Sequence, residues 1–243
     1  MLNEQLIDIE KKLLRLSDCE TPQIFRKGLS IMTMQEWRAF LLERCYLKED
    51  KRHFGFEGDL YNSDWWEISY QPEKASSYAY SNTMQPLHTD NAWFQDPAEI
   101  NFFVMWKQAP KGGAQLILPL SRLLESMAHD APALLSDLRS IPVVIKKGES
   151  SYSNNTTIIT NEMKPKIYWN YYRTLRTSKE IDLMCEGFWR YLGTIVNSNL
   201  VEKLYCQSGD CFAFNDTLLL HGREAFEAEL PRERVLYQSM WKL

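Results

Sequence analysis

The sequence predicts a mainly β fold with added helices, and two observations support this fold class. Segments rich in β-branched and aromatic residues, bounded by Gly or Pro, occur in both halves of the chain. Helical periodicity appears near the start and in a few later segments, so strands and helices do not alternate regularly. A doubly wound parallel sheet requires that alternation, and we therefore do not expect one.

The predicted strands are short and are separated by turn residues. The first clear run, residues 99–107, lies between Pro97 and the turn Pro110-Lys-Gly-Gly113. Further strands are predicted at residues 114–118, 142–146, 156–160 and 211–214.

The predicted helices follow from apolar residues spaced three and four apart. Thr33 and Glu36 form a capping box that begins a helix extending to about Cys45. Ser121 is expected to cap a helix that carries Leu123 and Met127. The other helices are predicted at residues 2–16, 131–138 and 179–196.

A chain of 243 residues is long enough for one domain with a full core. We expect a single domain over residues 1–243, in which residues 1–60 form a helical extension. This extension is predicted to pack on a β core formed by residues 61–243.

The composition of the chain limits which binding partners and which cellular compartment are expected. The net charge of −4 gives no broad basic surface, so neither nucleic acid nor an anionic membrane is an expected partner. Five scattered cysteines without a CxxC pair disfavour a disulfide framework and a structural zinc site. With no apolar signal segment at the N-terminus, we expect a cytoplasmic protein that acts on a small molecule. The sequence does not determine its oligomeric state.

A possible metal site is formed by His88 and Asp90 together with the distant His221. On an extended strand, residues two apart point to the same face, and the third ligand must come from a strand that folds back beside the first. Two imidazoles and one carboxylate are the ligand set that suits non-heme Fe(II) with open positions. The other histidines, His53 and His129, lie in a charged loop and a helical segment and are weaker candidates.

Several motifs around these ligands occur in an order that resembles a known family, the Fe(II)/2-oxoglutarate-dependent dioxygenases of the taurine dioxygenase, γ-butyrobetaine hydroxylase and clavaminate synthase group. The resemblance extends from about residue 80 to the C-terminus. The motifs are His88-Thr89-Asp90, Pro110-Lys-Gly-Gly113, Gly209-Asp210, Asn215-Asp216, His221-Gly222-Arg223-x-Ala225-Phe226 and Arg234.

The resemblance implies a distorted double-stranded β-helix, or jelly roll, with Fe(II) held by His88, Asp90 and His221. It also implies 2-oxoglutarate as cosubstrate, O₂ as oxidant, and Arg234 as the clamp on the distal carboxylate, a role that suits a planar guanidinium. Where the family has a Thr or Ser after the Gly-Gly turn, this chain has Gln115, whose amide N–H can donate to the same carboxylate.

The resemblance also narrows the reaction and the substrate. Related halogenases lack the carboxylate at the position of Asp90, so hydroxylation or desaturation is expected here. Sulfonate-binding relatives carry a second arginine where this chain has Gln238, so we do not expect a sulfonate bound in that way. A small amino-acid-like or amine-bearing substrate is expected instead, because an aromatic lining favours cation–π contact. The candidate substrate contacts are Tyr80, Asn82, Trp93 and Arg223.

Two alternatives stay open at this point. A non-catalytic metal- or ligand-binding jelly-roll protein is the first, although loss of a ligand would then be expected. The second is a cupin-type iron enzyme that is independent of 2-oxoglutarate, which would not need Arg234.

Overall fold

The computed structural model describes residues 2–52, 64–148 and 152–243. His53 and the predicted boundary between residues 60 and 61 lie outside these ranges. The helices are α1 (Leu2–Leu14), α2 (Gly28–Ile31), α3 (Met34–Glu43), α4 (Leu120–Asp130), α5 (Pro132–Ser140) and α6 (Lys179–Ile195). None of the described helices is both long and apolar enough to cross a membrane.

The strands are short, and most of them belong to two antiparallel sheets. They are β1 (Gln23–Phe25), β2 (Lys48–Glu49), β3 (Trp66–Ser69), β4 (Gln85–His88), β5 (Ile100–Lys107), β6 (Gln115–Pro119), β7 (Pro142–Lys146), β8 (Ser153–Thr157), β9 (Glu202–Leu204), β10 (Cys211–Asn215), β11 (Leu219–Arg223) and β12 (Val235–Lys242). The major sheet has the order β1-β10-β5-β12-β2, with β3 also paired to β12, and the minor sheet has the order β4-β11-β6-β9. Strands β7 and β8 form a separate pair.

Apolar side chains between the two sheets form the inner core. Phe103, Phe212 and Phe214 of the major sheet pack with Ile117 and Leu219 of the minor sheet. The chain passes repeatedly between the two facing sheets, and no closed barrel is formed by the residues described. The expected double-stranded β-helix is therefore confirmed as the fold.

The outer faces of both sheets are covered by helices. On the major sheet, Leu13 of α1 and Trp37 of α3 are buried with Phe102, and the Trp37 and Phe102 rings lie 5.1 Å apart. On the minor sheet, α4, α5 and α6 pack over a second cluster that includes Leu118 and Phe188. The metal-ligand candidates described next lie between the sheets, and α6 reaches the cavity beside them through Trp189.

Most sequence predictions of local structure agree with these elements, and two differ. The capping box at α3 is confirmed, since Glu36 N donates to Thr33 Oγ1 and Thr33 N donates to the Glu36 carboxylate. Ser121 was expected as a helix cap, and this is wrong: α4 begins one residue earlier, after Pro119. The Ser121 hydroxyl and N–H instead donate to Glu20. The strand predicted at residues 156–160 is found at Ser153–Thr157.

Candidate functional site

Strand pairing in the minor sheet brings the two candidate histidines together. Strands β4 and β11 are antiparallel, and His88 and His221 lie directly opposite each other in that register. Residues that face each other across an antiparallel pair project to the same side of the sheet. The two imidazole rings are consequently only 4.3 Å apart, centroid to centroid.

Asp90 reaches the histidines from outside the strand. The prediction that His88 and Asp90 share an extended strand is wrong, because β4 ends at His88 and Asp90 begins a turn. The next residue, Asn91, has a left-handed backbone with φ of 56°, a conformation that Asn tolerates better than most residues. This turn, and not the alternation of a strand, directs Asp90 toward the two rings.

The three side chains form a compact group in which each offers one ligand atom. Asp90 Oδ1 lies 3.4 Å from His88 Nε2, and Asp90 Oδ2 lies 3.5 Å from His221 Nε2. All three ligand atoms lie within 4.8 Å of one another, and among the residues described this is the group that could hold a metal ion. A fourth polar group, Asp216, places Oδ1 3.2 Å from His221 Nε2.

Hydrogen bonds from neighbouring groups orient the ligands. Pro86 O lies 2.9 Å from His88 Nδ1, which makes Nδ1 the protonated nitrogen and leaves the Nε2 lone pair facing the cluster. Two buried amides, Asn101 Nδ2 and Gln238 Nε2, donate to Oδ2 of Asp90 at 3.1 and 2.8 Å. These amides belong to β5 and β12, so the major sheet positions a ligand that the minor sheet does not hold.

The ionisable side chains of this cluster shift one another's pKa values. Burial acts to raise the pKa of Asp90, but His221 and His88 outweigh it and hold that pKa well below its ordinary value. Burial raises the pKa of Asp216 to about 6. Burial also acts to lower the pKa of His221, but Asp90 and Asp216 outweigh it and raise this pKa to about 10. At neutral pH, two carboxylates therefore face one imidazolium in a buried space.

This donor set fits a divalent metal ion. His221 Nε2 and Asp216 Oδ1 are buried and lie 3.2 Å apart, but neither makes a hydrogen bond of good geometry with a residue in the described ranges. A buried polar atom without a well-formed hydrogen bond is costly, and atoms of this kind call for an explanation such as a bound ion. A cation bound by His88, Asp90 and His221 would satisfy Nε2 and replace the proton on the imidazolium.

Beside the ligands lies a narrow cavity of about 40 Å³, here called the inner cavity. Its wall includes Asp90, His221 and the guanidinium of Arg234, which is 1% exposed. Burial lowers the pKa of Arg234 to about 10. Among the described residues its partners are neutral, namely Gln108 Oε1 and Gly113 O, so the positive charge has no anion.

Gln115 contacts Arg234, although not in the way the sequence predicted. With its amide turned to satisfy both ends, Gln115 Oε1 accepts from Arg234 Nη2 at 2.9 Å and its Nε2 donates to Gly222 O at 3.3 Å. In this geometry the amide N–H is directed at backbone, and the carbonyl steadies the guanidinium. Gly113 allows the Arg234 side chain to lie close to the backbone. It has φ of 73°, and a Cβ at this position would lie 3.0 Å from Arg234 Nε.

Arg223 is also buried in the wall of the inner cavity. Its Nη2 donates to the carbonyl oxygens of Tyr78, Ser81 and Thr83 at 3.2, 2.8 and 2.8 Å. Burial and the nearby Arg234 lower its pKa to about 9. Arg223 thus fixes the segment before β4, and its guanidinium is a second buried charge without a carboxylate among the described residues.

A larger cavity of about 460 Å³, the outer cavity, adjoins the same ligands. It shares Trp66, Ala79, Gln85 and Asp90 with the inner cavity, so the two spaces adjoin each other. Trp93 lines the outer cavity, as the sequence predicted.

Tyr80 and Asn82 line neither cavity, so the structure does not bring these two predicted substrate contacts to the site. The chain turns between Ser77 and Ser81, which directs Tyr78 and Ala79 toward the cavity and places the Tyr80 ring 5.5 Å from Lys74 Nζ. His129 is exposed and pairs with Asp130, so it belongs to no buried cluster.

Sequence reasoning missed several residues of the site. Asn101 lies within the predicted strand at residues 99–107, which gave no sign of a polar contact, and Gln238 was noted only as a departure from the family pattern. Trp189 lies on α6, where helical periodicity indicated only core packing, and it lines the outer cavity. The aromatic run at residues 166–172 was the one available signal for Tyr171 and Tyr172.

Comparison with known proteins identifies related sequences. A family model described as "Taurine catabolism dioxygenase TauD, TfdA family" matches residues 27–240. The dioxygenase str8 of Strobilurus tenacellus is 24% identical over 199 residues, which cover 79% of this chain and 46% of that protein. The chain thus spans about half the length of the curated relative it matches.

Solved structures share the fold at low sequence identity. The non-heme iron oxygenase OrfP in complex with Fe and alpha-ketoglutaric acid has a TM-score of 0.70 at 12% identity, covering 98% of this chain and 79% of that one. Asparagine oxygenase in complex with Fe(II), hydroxyasparagine and succinate has a TM-score of 0.61 at 10% identity, covering 74% and 56%.

Proposed function

The chain belongs to the taurine catabolism dioxygenase TauD, TfdA family, and we propose that it is an Fe(II)- and 2-oxoglutarate-dependent oxygenase. In the proposed reaction, a substrate C–H bond, O₂ and 2-oxoglutarate give the C–OH product, succinate and CO₂. Desaturation is the variant in which the substrate loses two hydrogens and water is released.

One observation carries this proposal: a His-Asp-His cluster lies at two adjoining cavities, and the wall of the inner one also contains an uncompensated arginine. 2-Oxoglutarate is a dianion with a chelating end and a distal carboxylate. We assign the chelating end to a metal held by His88, Asp90 and His221, and the distal carboxylate to Arg234. A guanidinium can bind that group by two parallel hydrogen bonds, and burial strengthens the interaction.

The metal, when bound, supplies activation of O₂ coupled to oxidative decarboxylation of 2-oxoglutarate. The chain's own residues bind and orient. Asn101 and Gln238 hold Oδ2 of Asp90, which leaves Oδ1 free as a single ligand atom. Gln115 holds Arg234 at the position required by the distal carboxylate. The buried walls exclude water, which favours positioning as the source of rate enhancement.

We propose a small amino-acid-like or amine-bearing molecule as substrate. The asparagine oxygenase and OrfP structures contain hydroxyasparagine and hydroxyarginine, respectively, and the outer cavity is large enough for a molecule of that size. Gln238 donates to Asp90, which supports the expectation that this position does not bind a sulfonate. The single-domain boundaries and the cytoplasmic location stay predictions.

The test of the proposed function is succinate formation from 2-oxoglutarate with Fe(II) under air. We expect slow succinate release by the wild type without added substrate, and none by Asp90→Ala. We expect Arg234→Ala to raise the 2-oxoglutarate concentration needed for half-maximal rate by roughly 10- to 100-fold, because a charge-assisted pair is lost.

Arg122→Ala is the matched control, since Arg122 forms an exposed ion pair with Glu202 and we expect it to leave the rate unchanged. Co(II) binding by Arg234→Ala, followed by calorimetry, reports whether that variant is folded. An unchanged 2-oxoglutarate requirement in a folded Arg234→Ala would contradict the assignment of Arg234 and favour a 2-oxoglutarate-independent iron enzyme. No succinate from the metal-loaded wild type would favour a non-catalytic binding protein.

A further inference from the structure

The outer cavity is walled mainly by aromatic rings. Six of its lining residues are aromatic, drawn from β3, from three loops and from α6: Trp66, Tyr78, Trp93, Tyr171, Tyr172 and Trp189. The ring centroids of Tyr171 and Trp189 lie 4.2 Å apart, and those of Tyr172 and Trp189 lie 5.8 Å apart. Such walls favour a flat or apolar body over a highly hydrated one.

Few charged side chains lie in the lining of this cavity. Among its described lining residues, the charged side chains are Asp90, already engaged by two amides, and Arg173. Behind the rings, Lys147 Nζ lies 5.1 Å from the Trp93 ring and the Arg176 guanidinium lies 4.7 Å from the Tyr171 ring. An ammonium group entering this space would meet no free carboxylate in the lining.

Two further acids lie near the cavity, and both are already engaged. Asp182 Oδ1 lies 3.4 Å from Arg176 Nε and pairs with that guanidinium. Glu186 accepts a hydrogen bond from the Tyr171 hydroxyl. The surroundings therefore favour an anionic group on the ligand over a cationic one.

The backbone of Arg173 is fixed, although its guanidinium is free to bind. Lys146 N of β7 donates to Arg173 O at 2.9 Å, and Arg173 N donates to Asn170 O at 3.1 Å. The next residue, Thr174, bridges Ile145 of the same strand. Throughout the described ranges, the Arg173 guanidinium makes no hydrogen bond or ion pair, so its donors are available to a ligand.

Resting on the function proposed above, we propose that the substrate carries a carboxylate together with an aromatic or comparably flat apolar body, and that Arg173 recognises the carboxylate. The position from which some relatives bind an acidic group is occupied here by Gln238, and that amide holds Asp90. Recognition of the acid thus shifts from β12 to the loop after Asn170. Arg173 is a specificity residue of the outer cavity and takes no part in metal or 2-oxoglutarate binding.

The test uses three probes that share a phenylpropyl body and differ in one group: 3-phenylpropanoate, 3-phenylpropanamide and 3-phenylpropylamine. Each is titrated by calorimetry into protein loaded with Co(II) and saturating 2-oxoglutarate, so that Arg234 is already occupied. We expect the acid to bind at least about tenfold more tightly than the amide or the amine, as a charge-assisted but partly exposed contact predicts.

Four variants sharpen the result. Arg173→Gln is expected to reduce the preference for the acid to within about twofold, while Arg173→Lys retains part of it, because charge but not the planar fork is kept. Trp189→Ala is expected to weaken the acid and the amide equally. Arg15→Gln, which changes an exposed arginine following α1, is the matched control and keeps the full preference.

Equal binding of acid and amide by the wild type, tighter binding of the amine, or no binding of the acid overturns the inference. Retention of the preference in Arg173→Gln overturns the assignment of the residue. Succinate formation and Co(II) binding are measured on the same preparations. If succinate forms and Co(II) binds but the acid is not preferred, this inference alone is rejected. If succinate formation or Co(II) binding fails, the proposed function is rejected whether or not the acid binds.

Discussion

The inner and outer cavities are built by different means. The inner cavity is lined largely by side chains from paired strands, with His221, Gln115 and Gln238 fixed by register in the two sheets. The outer cavity takes Tyr78 and Arg173 from loops. Sheet register fixes side-chain positions closely, whereas loops accept substitutions and insertions. The contrast agrees with the proposal that the inner cavity binds the cosubstrate and the outer cavity the substrate, since a cavity built from loops can change more readily between relatives.

The largest expected effect is a loss of metal affinity in the inner cavity that leaves ligand binding in the outer cavity unchanged. His221→Ala removes one of three ligands, so we expect Co(II) affinity to fall by more than the roughly 10- to 100-fold that loss of an outer-sphere partner costs. Binding of 3-phenylpropanoate to the metal-free protein is expected to stay within about twofold, as Arg173 and the aromatic walls are untouched. Calorimetry measures both, and a parallel loss of probe binding would show that the cavities are not independent.

The second effect tests whether the major sheet orients Asp90, the candidate metal ligand that lies on a turn. Gln238→Leu removes the 2.8 Å donor to Asp90, and we expect Co(II) affinity to fall roughly 10- to 100-fold. The Co(II) absorption spectrum is expected to change as well, because Asp90 is freer to bind through both oxygens. Gln207→Leu, at an exposed position, is the control. An unchanged affinity and spectrum would assign Gln238 to packing only.

The third effect is the pH dependence of metal binding in the inner cavity. The pKa of His221 is raised to about 10 in the metal-free protein, and a metal ligand must be unprotonated. Between about pH 6 and 10, Co(II) affinity is therefore expected to fall about tenfold for each unit that the pH is lowered. Calorimetry in buffers of different ionisation enthalpy is expected to detect release of about one proton per Co(II) at pH 7.5. Release of no proton would contradict a charged His221.

The smallest effect concerns the loops of the outer cavity. The hydroxyls of Tyr78 and Tyr172 are 3.0 Å apart and join the loop before β4 to the loop before α6. Tyr78→Phe removes this bond, and we expect the free energy of unfolding to fall by about 1 kcal/mol or less, since Tyr172 is exposed. Urea denaturation measures the change, and Co(II) affinity serves as the internal control. A loss of metal affinity would mean that these loops also shape the inner cavity.

Many residues of the inner cavity could be predicted, because residue type and order along the chain indicate which side chains can bind a metal ion or an anion. Only His88 and His221 lay in or beside strand-like segments, and one carboxylate lay two residues from the first of them. The expectation that the two histidines lie on neighbouring strands agrees with the pairing of β4 and β11, which places the two rings 4.3 Å apart. The reason given for Asp90 was nevertheless wrong, because local periodicity does not reveal where a strand ends.

The outer cavity was much less predictable. Trp93 was found by its nearness to the metal motif, whereas Trp189 and Arg173 come from segments more than 80 positions away. Tyr80 and Asn82 also lie within about eight positions of the metal motif, yet neither lines a cavity. Nearness along a chain is a weak guide to a cavity formed by loops, because a single turn reverses which side chains face it.

The β-rich fold class, the candidate ligand set and the arginine proposed to bind a dianion could be predicted from the sequence alone, because each depends on residue type and on local period. Packing of the whole chain was needed to show which amides hold Asp90, that Gln115 steadies Arg234 through its carbonyl, and which rings enclose the outer cavity. Those contacts join residues far apart in the chain across two sheets. Their geometry depends on register, twist and turns that emerge only when the whole core packs.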